Sequence, residues 1–438
     1  MEDPRNWIPV TRRRFLGQLG LSGGLVAATT SRAWSQAPQS GRRVPPAISG
    51  DRLEPAWEEG LTVTVGPSQA DLAGFNDKVV QAAIDLVKRY GGGTVHLKAG
   101  TYRCRNAVVL QPGVRVIGDG PDTVLRKEAS VTSPIAANSD WYDQEITLAN
   151  PEGFRVGDGV CLRAKNPHHG GPTVLKRTLV ARSGKRFKLD RPLDENLWQD
   201  GSPSAATLFP LFTSEHTSRL VVENLCLDGN RANNDNLDGN YAGCIFLQNC
   251  RDVLIRGVLA RDYNGDGISW QICHDVRVLE CRSEGHAGLG LHPGSGSQRP
   301  VMRGNTIENC DIGIFFCWGV RFGLAENNSI RSCGASVSIG HRDTDNIVRE
   351  NEIRDSRRAA VQFREEKRVF AGHVKVIHAN QITNIQPESG AAIDVQGETE
   401  DVTIERNTIK QSGSPGKRVG VRVGAKTKGV VLCENTIE

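Results

Sequence analysis

The feature that most constrains this chain is a short apolar pattern that returns every 23 residues. It reads Cys244-Ile245-Phe246-Leu247-Gln248, Gly267-Ile268-Ser269-Trp270-Gln271, Gly290-Leu291-His292-Pro293-Gly294, Gly313-Ile314-Phe315-Phe316-Cys317 and Ser336-Val337-Ser338-Ile339-Gly340. Later copies begin at Ala360, Ala392 and Gly420, after 24, 32 and 28 residues, which predicts longer loops there. Self-similarity at a fixed period of this size means stacked supersecondary units. Between turns the residues alternate with period two, not with the i, i+3, i+4 spacing of a helical repeat, so each unit is expected to be a coil of short strands. Each coil then adds one strand to several parallel sheets at a rise of roughly 4.7–4.9 Å, and equivalent residues form ladders.

Alternation also sorts the residues by face. Leu247, Trp270, Pro293, Phe316, Ile339 and Phe363 are expected to form the inner ladder. The outer ladder is then Phe246, Ser269, His292, Phe315, Ser338, Gln362, Asp394 and Arg422, with a second one at Gln248, Gln271, Gly294, Cys317, Gly340, Arg364 and Gln396. A second strand is expected to accompany each coil, as in Val301 to Ile307 and Asn346 to Ile353. Cys250 and Cys273, and Cys310 and Cys333, are 23 apart, so the eleven cysteines read as buried thiols in ladders, with neither a disulfide framework nor a zinc motif.

The first 36 residues stand apart. Thr11-Arg12-Arg13-Arg14-Phe15-Leu16, a Gly- and Ala-rich apolar stretch from Leu19 to Thr30, and Ala33-Trp34-Ser35 resemble a twin-arginine export signal. The protein is therefore expected in the periplasm or outside the cell. Residues 37–60 lack periodicity and read as a linker; 61–131 as the N-terminal cap and first coils; 132–212 as a β-rich insertion; 213–438 as the repeats. No other apolar run reaches the ~18 residues of a membrane span, and 54 basic against 50 acidic residues argue against a nucleic-acid partner.

After the linker, Asn76 precedes Val79, Val80, Ala83, Ile84 and Val87 at helical spacing, and Gly91-Gly92-Gly93 ends the pattern. Gly93-Thr94-Val95-His96-Leu97-Lys98-Ala99-Gly100-Thr101-Tyr102 and Val114-Arg115-Val116-Ile117-Gly118-Asp119-Gly120-Pro121 follow. This succession resembles the opening of pectate-lyase-like β-helix proteins, in which the helix caps the coil. The resemblance implies an all-β, right-handed parallel β-helix (solenoid) with an N-terminal capping helix and a small β-rich insertion.

Chemistry concentrates on one outer edge, from Asp266 to Glu366. His292 and His341 are expected two coils apart, with Asp343 and Glu365 on neighbouring coils. Two nearby carboxylates would suit glycoside hydrolysis, whereas a cation beside a histidine would suit a lyase that neutralises a uronate and removes its C5 proton. The catalytic candidates are His292, His341, Asp343, Glu365 and Asp266; the substrate-binding candidates are Arg342, Arg364, Glu366, Trp318 and Gln271. Asn264-Gly265-Asp266-Gly267 resembles the Asn-x-Asp-Gly strand entry of polygalacturonases. The equivalent positions Gly243, Leu289, Ile312 and Ala335 carry no acid, so that family's catalytic set is not matched.

No cofactor is expected: Asp228, Asp235 and Asp238 form a polar loop without a calcium motif, and His168 and His169 an exposed pair. The expected activity is that of a polysaccharide lyase or glycoside hydrolase on an anionic polysaccharide or oligosaccharide. A non-catalytic glycan-binding surface protein is the alternative, which Phe246, Phe315 and Trp318 would serve. The sequence stops inside a coil at Cys433 to Glu438. An uncapped parallel edge invites pairing, so the end is expected to be cut short or covered by a partner, with an oligomer one outcome.

Overall fold

The computed structural model describes residues 59–166, 170–386, 390–412 and 419–438. The expected export segment, the linker up to residue 58, and the His168–His169 pair lie outside the described residues. The Asn76 side chain accepts a hydrogen bond from Val79 N at 3.1 Å, and the helix Asp77–Arg89 follows. Its apolar face buries Val80, Ala83, Ile84 and Val87 against the first strands. Past Tyr90, Gly91 and Gly92 take φ of 93° and 130°, a region open to glycine, and the helix stops.

Among the described residues, the strands of the coil fall into three parallel sheets of thirteen, eleven and ten strands. From Phe212 onward each coil contributes one strand to each, which is the arrangement of a parallel β-helix. In the ten-stranded sheet Phe246 stands opposite Ser269 and Ser269 opposite His292, so register follows the 23-residue period. Leu247, Trp270, Pro293, Phe316, Ile339 and Phe363 are all buried inside the coil. Each such side chain contributes roughly 1.5–3 kcal/mol by leaving water.

The segments read as one accompanying strand are each two. Val301–Arg303 and Thr306–Glu308 lie in different sheets, as do Thr344–Arg349 and Glu352–Arg354. The corner falls at a column of buried asparagines. Asn305, Asn328, Asn351, Asn380 and Asn407 each donate from Nδ2 to the Oδ1 of the next, ending on Asn435, at 2.9 Å throughout. Each amide also takes a backbone carbonyl of the preceding coil, as Asn305 Nδ2 does with Val278 O at 3.0 Å. A buried polar column of this kind is stable because every member is paired. Outside, charges stack the same way: Glu223 lies between Arg115 and Arg256, and Glu326 between Arg303 and Arg349.

Residues 132–206 hold a six-stranded antiparallel sheet with its own core, including Leu148, Phe154, Phe187 and Leu189. Lys127 links it to the coil. Its buried ammonium donates to Thr207 O at 2.9 Å and Asn234 Oδ1 at 2.5 Å, beside the Phe209 ring. Burial pulls the pKa of this lysine down to about 7. All cysteines are free thiols, mostly buried. No helix among the described residues is long and apolar enough to cross a membrane. The last described coil leaves Val431, Leu432 and Ile437 more than half exposed.

Candidate functional site

Period two turns Phe246, Ser269, His292 and Ser338 outward from the coil, yet all four are buried. Two added elements cover Phe246 and Ser269, while His292 packs against Phe315 and Arg364 lies on Ser338. The insertion lays Lys176 Nζ 4.0 Å over the Phe246 ring. The loop 229–243 arches over Ser269, whose hydroxyl donates to Gly239 O at 2.6 Å.

Beneath that loop sits a carboxylate–imidazole dyad. Asp266 Oδ1 accepts from Leu289 N at 2.9 Å, and Oδ2 lies 2.8 Å from His292 Nδ1. Two glycines make room for this carboxylate: a Cβ on Gly239 would fall 1.6 Å from Oδ2, and one on Gly288 2.4 Å from Oδ1. Ser269 Oγ is 3.3 Å from His292 Nδ1 and has given its proton to Gly239, so it too accepts there. Both contacts assign the ring proton to Nδ1. Nε2 is then a lone pair, and it is buried without a hydrogen-bond partner.

A second cluster lies further along the same ladder. Arg364 Nη1 donates to Ser338 Oγ at 2.8 Å and Nη2 to Phe316 O at 3.0 Å. The same Nη2 is 3.3 Å from His341 Nδ1, and His341 Nε2 is 3.0 Å from Glu366 Oε1. Arg364 Nε has no hydrogen-bond partner, with Glu366 Oε1 3.9 Å away. Gly340 is small for this reason, since a Cβ there would meet the guanidinium at 2.6 Å. Burial, then the Arg364 charge, lowers the His341 pKa, and burial pushes the Cys317 thiol beside it up to about 12. Phe315 joins the two clusters: the His292 ring centre is 5.3 Å from its own, and Arg364 Cζ is 4.5 Å from it.

The remaining candidates divide. Trp318, 45% exposed, packs 5.1 Å from the His341 ring and 6.1 Å from Phe370, with Arg342 over both Trp318 and Phe370. Glu365 is exposed. Asp343, expected to face Glu365 as a catalytic pair, instead points into the coil and is fully buried. Its oxygens accept Val320 N at 2.9 Å and Gly340 N at 3.0 Å, satisfying a tight turn from within, and Oδ2 lies 3.7 Å from Arg364 Nη2, so Asp343 supports the guanidinium from beneath. Burial raises its pKa to about 6 against the pull of Lys375, itself lowered to about 7 by burial. Two open carboxylates facing one another are therefore not formed by Asp343 and Glu365. Nor do His292 and His341 meet; the Phe315 coil lies between them.

Gln271 lies over Gly294, where a Cβ would be 2.4 Å from its Nε2, an atom that is buried and unpartnered. Thr213 Oγ1 shares that condition on the same sheet. Buried polar atoms are usually paired, and of the eight without a partner among the described residues four lie on this outer face, on Thr213, Gln271, His292 and Arg364, where a ligand could meet them. Ser269, Ser338 and Cys317 join the site without having been singled out as candidates, although the ladder arithmetic places them there, and Phe315, expected only as a glycan-binding ring, lies between its two clusters. Gly239 had no such signal, because it comes from a loop. Among the described residues no group of three or more His, Cys, Asp or Glu could hold a metal ion.

Residues 218–353 match the family model of the right handed beta helix region, which gives the coil its hand. No curated protein matches the sequence. Among solved structures, the chain is similar to an alginate lyase from Paenibacillus sp. str. FPU-7, at 11% identity over 82% of this chain and 99% of that one, with a TM-score of 0.46. It is also similar to an exopolygalacturonase from Thermotoga maritima, at 10% identity over 81% and 87%, with a TM-score of 0.44. The surface protein and adhesin PfbA of Streptococcus pneumoniae gives 12% identity over 82% and 93%, with a TM-score of 0.46. None of the three reaches a TM-score of 0.5, so the chemistry has to come from the site's own residues.

Proposed function

We propose that this right-handed parallel β-helix protein is a polysaccharide lyase that cleaves a uronate-containing polymer outside the cytoplasm, on the outer face of its ten-stranded sheet. The observation that carries the reading is the Asp266–His292 dyad, with its free Nε2 lone pair, sharing the Phe315 ring with the Arg364 guanidinium. An imidazole oriented by a carboxylate is a general base. A guanidinium with an uncommitted N–H is an anchor for a carboxylate.

In the proposed step Arg364 holds the uronate carboxylate and offsets the charge that builds there as His292 Nε2 removes the C5 proton. The C4–C5 double bond forms, the C4–O4 bond breaks, and the leaving O4 takes a proton from water. Hydrolysis is disfavoured by the burial of Asp343, which leaves Glu365 without a facing acid. Nε2 is buried, so the reaction needs the cover over the dyad to open; the loop 229–243 beside it is held by Ser269 Oγ to Gly239 O, Asn264 Nδ2 to Asn234 O and Leu237 N to Asn264 O. The twin-arginine-like N-terminus fits a substrate outside the cytoplasm.

One observation favours a second reading. Trp318 and Phe370 are both exposed and capped by Arg342, a surface suited to stacking on sugars without cutting them. Incubation with galacturonate-, mannuronate- and guluronate-containing polymers separates the readings. A lyase releases unsaturated, ultraviolet-absorbing ends; a hydrolase releases reducing ends alone; a binder retains the polymer and releases neither.

A further inference from the structure

The insertion does more than cover Phe246. Its strand Pro172–Ser183 stands away from the coil further along, leaving an open cleft of about 430 Å³. The insertion side carries Arg191, Lys176, which is paired with Glu215 at 3.5 Å, and Asp194, which is neutralised by Arg177 at 2.6 Å; the coil side carries Gln248, Gln271 and Ser295, and Tyr241 of the loop 229–243 also lines it. A second hollow of about 310 Å³ on the far side shares Lys176 and Arg191, so these cations form a ridge between two concave surfaces.

Three features of the cleft point to a ligand. Gln271 is 5% exposed, and its Nε2 lies in the cleft wall with no hydrogen-bond partner. A buried amide of this kind costs about 1–3 kcal/mol unless something accepts from it. Arg191 is a half-exposed cation that lies 3.6 Å from Asp190 and donates from Nη2 to Lys176 O at 3.3 Å, which leaves the rest of its guanidinium open to the cleft. Ile272, also on the cleft wall, is 46% exposed at φ +55°, a strained state for a β-branched residue that turns its side chain outward. Gln271 overlies Gly294, two residues along the strand from His292 and so ~7 Å away.

We infer that this cleft is a binding subsite for an anionic sugar residue of the same polymer that reaches His292, with the Gln271 amide donating to it and Arg191 and Lys176 matching its charge. The inference rests on the uronate reading above. It makes the insertion part of the substrate path, so that long oligomers gain contacts that short ones lack.

Isothermal titration of the full chain with a uronate disaccharide and with longer oligogalacturonates or oligomannuronates tests it. Gln271→Met keeps the volume and removes the donor; Arg191→Ser alters a half-exposed side chain whose contacts are Asp190 and Lys176 O, and its unfolding midpoint is read alongside. Each is expected to weaken the longer oligomer about tenfold while leaving the disaccharide unchanged. Unchanged affinity for the longer oligomer in both variants overturns the subsite. If Arg364→Gln then abolishes disaccharide binding, the catalytic reading survives that loss. A wild-type chain that binds no uronate of any length overturns both.

Discussion

At Gly239 a single methyl group would decide the state of the dyad. A Cβ would fall 1.6 Å from Asp266 Oδ2, the oxygen that fixes the His292 tautomer. Asp266 is held in place, because Oδ1 accepts from Leu289 N and Oδ2 lies 2.8 Å from His292 Nδ1. Gly239→Ala is expected to destabilise the protein by about 1–3 kcal/mol and to lower kcat as far as a change in Asp266 itself. Asp266→Asn leaves the shape and removes the charge, and is expected to lower kcat by about 10²–10⁴ with little change in the unfolding midpoint. A steady-state assay in which either variant kept its kcat would remove the dyad from the mechanism. Asp343 shows where residue-level reading fails. Period two assigns faces within a strand, but His341-Arg342-Asp343 lies in a turn with φ of 49° and 67° at its first two residues. There the backbone amides of Gly340 and Val320, not alternation, chose the direction of the side chain.

The strands and their order were legible because register and repeat are the same number: 23 residues along the chain is one rung across the sheet. The asparagine column was equally legible and passed over. Asn305-Thr306-Ile307, Asn328-Ser329-Ile330 and Asn351-Glu352-Ile353 recur at 23, yet polar residues between strands read as ordinary turns unless their buried pairing is known. In the middle of the column, Asn328→Ala strips partners from Asn305 N, Asn305 Nδ2 and Met302 O, and is expected to cost several times the 1 kcal/mol or so of a typical hydrogen bond. Asn435→Ala, at its half-exposed end, is expected to cost less; equal shifts in the urea midpoint would contradict the ladder's role. Lys127 gives a pH signature. Its pKa is about 7 folded against 10.5 in the open chain, so between those values the native state binds fewer protons and stability rises with pH. That contribution is lost as pH falls toward 7. Lys375 acts over the same window and the buried thiols, raised from 9, act against both in its upper part, so the test is the difference between the parent and Lys127→Met, whose urea midpoint is expected to gain on the parent as pH falls from 10 to 7.

The whole site is a product of covering a repeat. The bare coil presents a regular outer ladder that the sequence displays in full, with His292, Phe315, Ser338 and Arg364 in their places. What the sequence withheld was the effect of the insertion and of the loop 229–243, neither of which repeats and both of which bury that face. Burial converts outward-facing residues into desolvated ones, and His292 Nε2 and Arg364 Nε are buried there without a protein hydrogen-bond partner. It also strengthens any charge they meet. The central claim is that these two nitrogens act on a uronate. Its most direct test is the ultraviolet absorbance of the products when the wild-type chain and His292→Ala are incubated with the uronate polymers. The account predicts unsaturated ends from the wild type on at least one polymer and none from the variant. Reducing ends without unsaturation, or equal absorbance from both proteins, would contradict it.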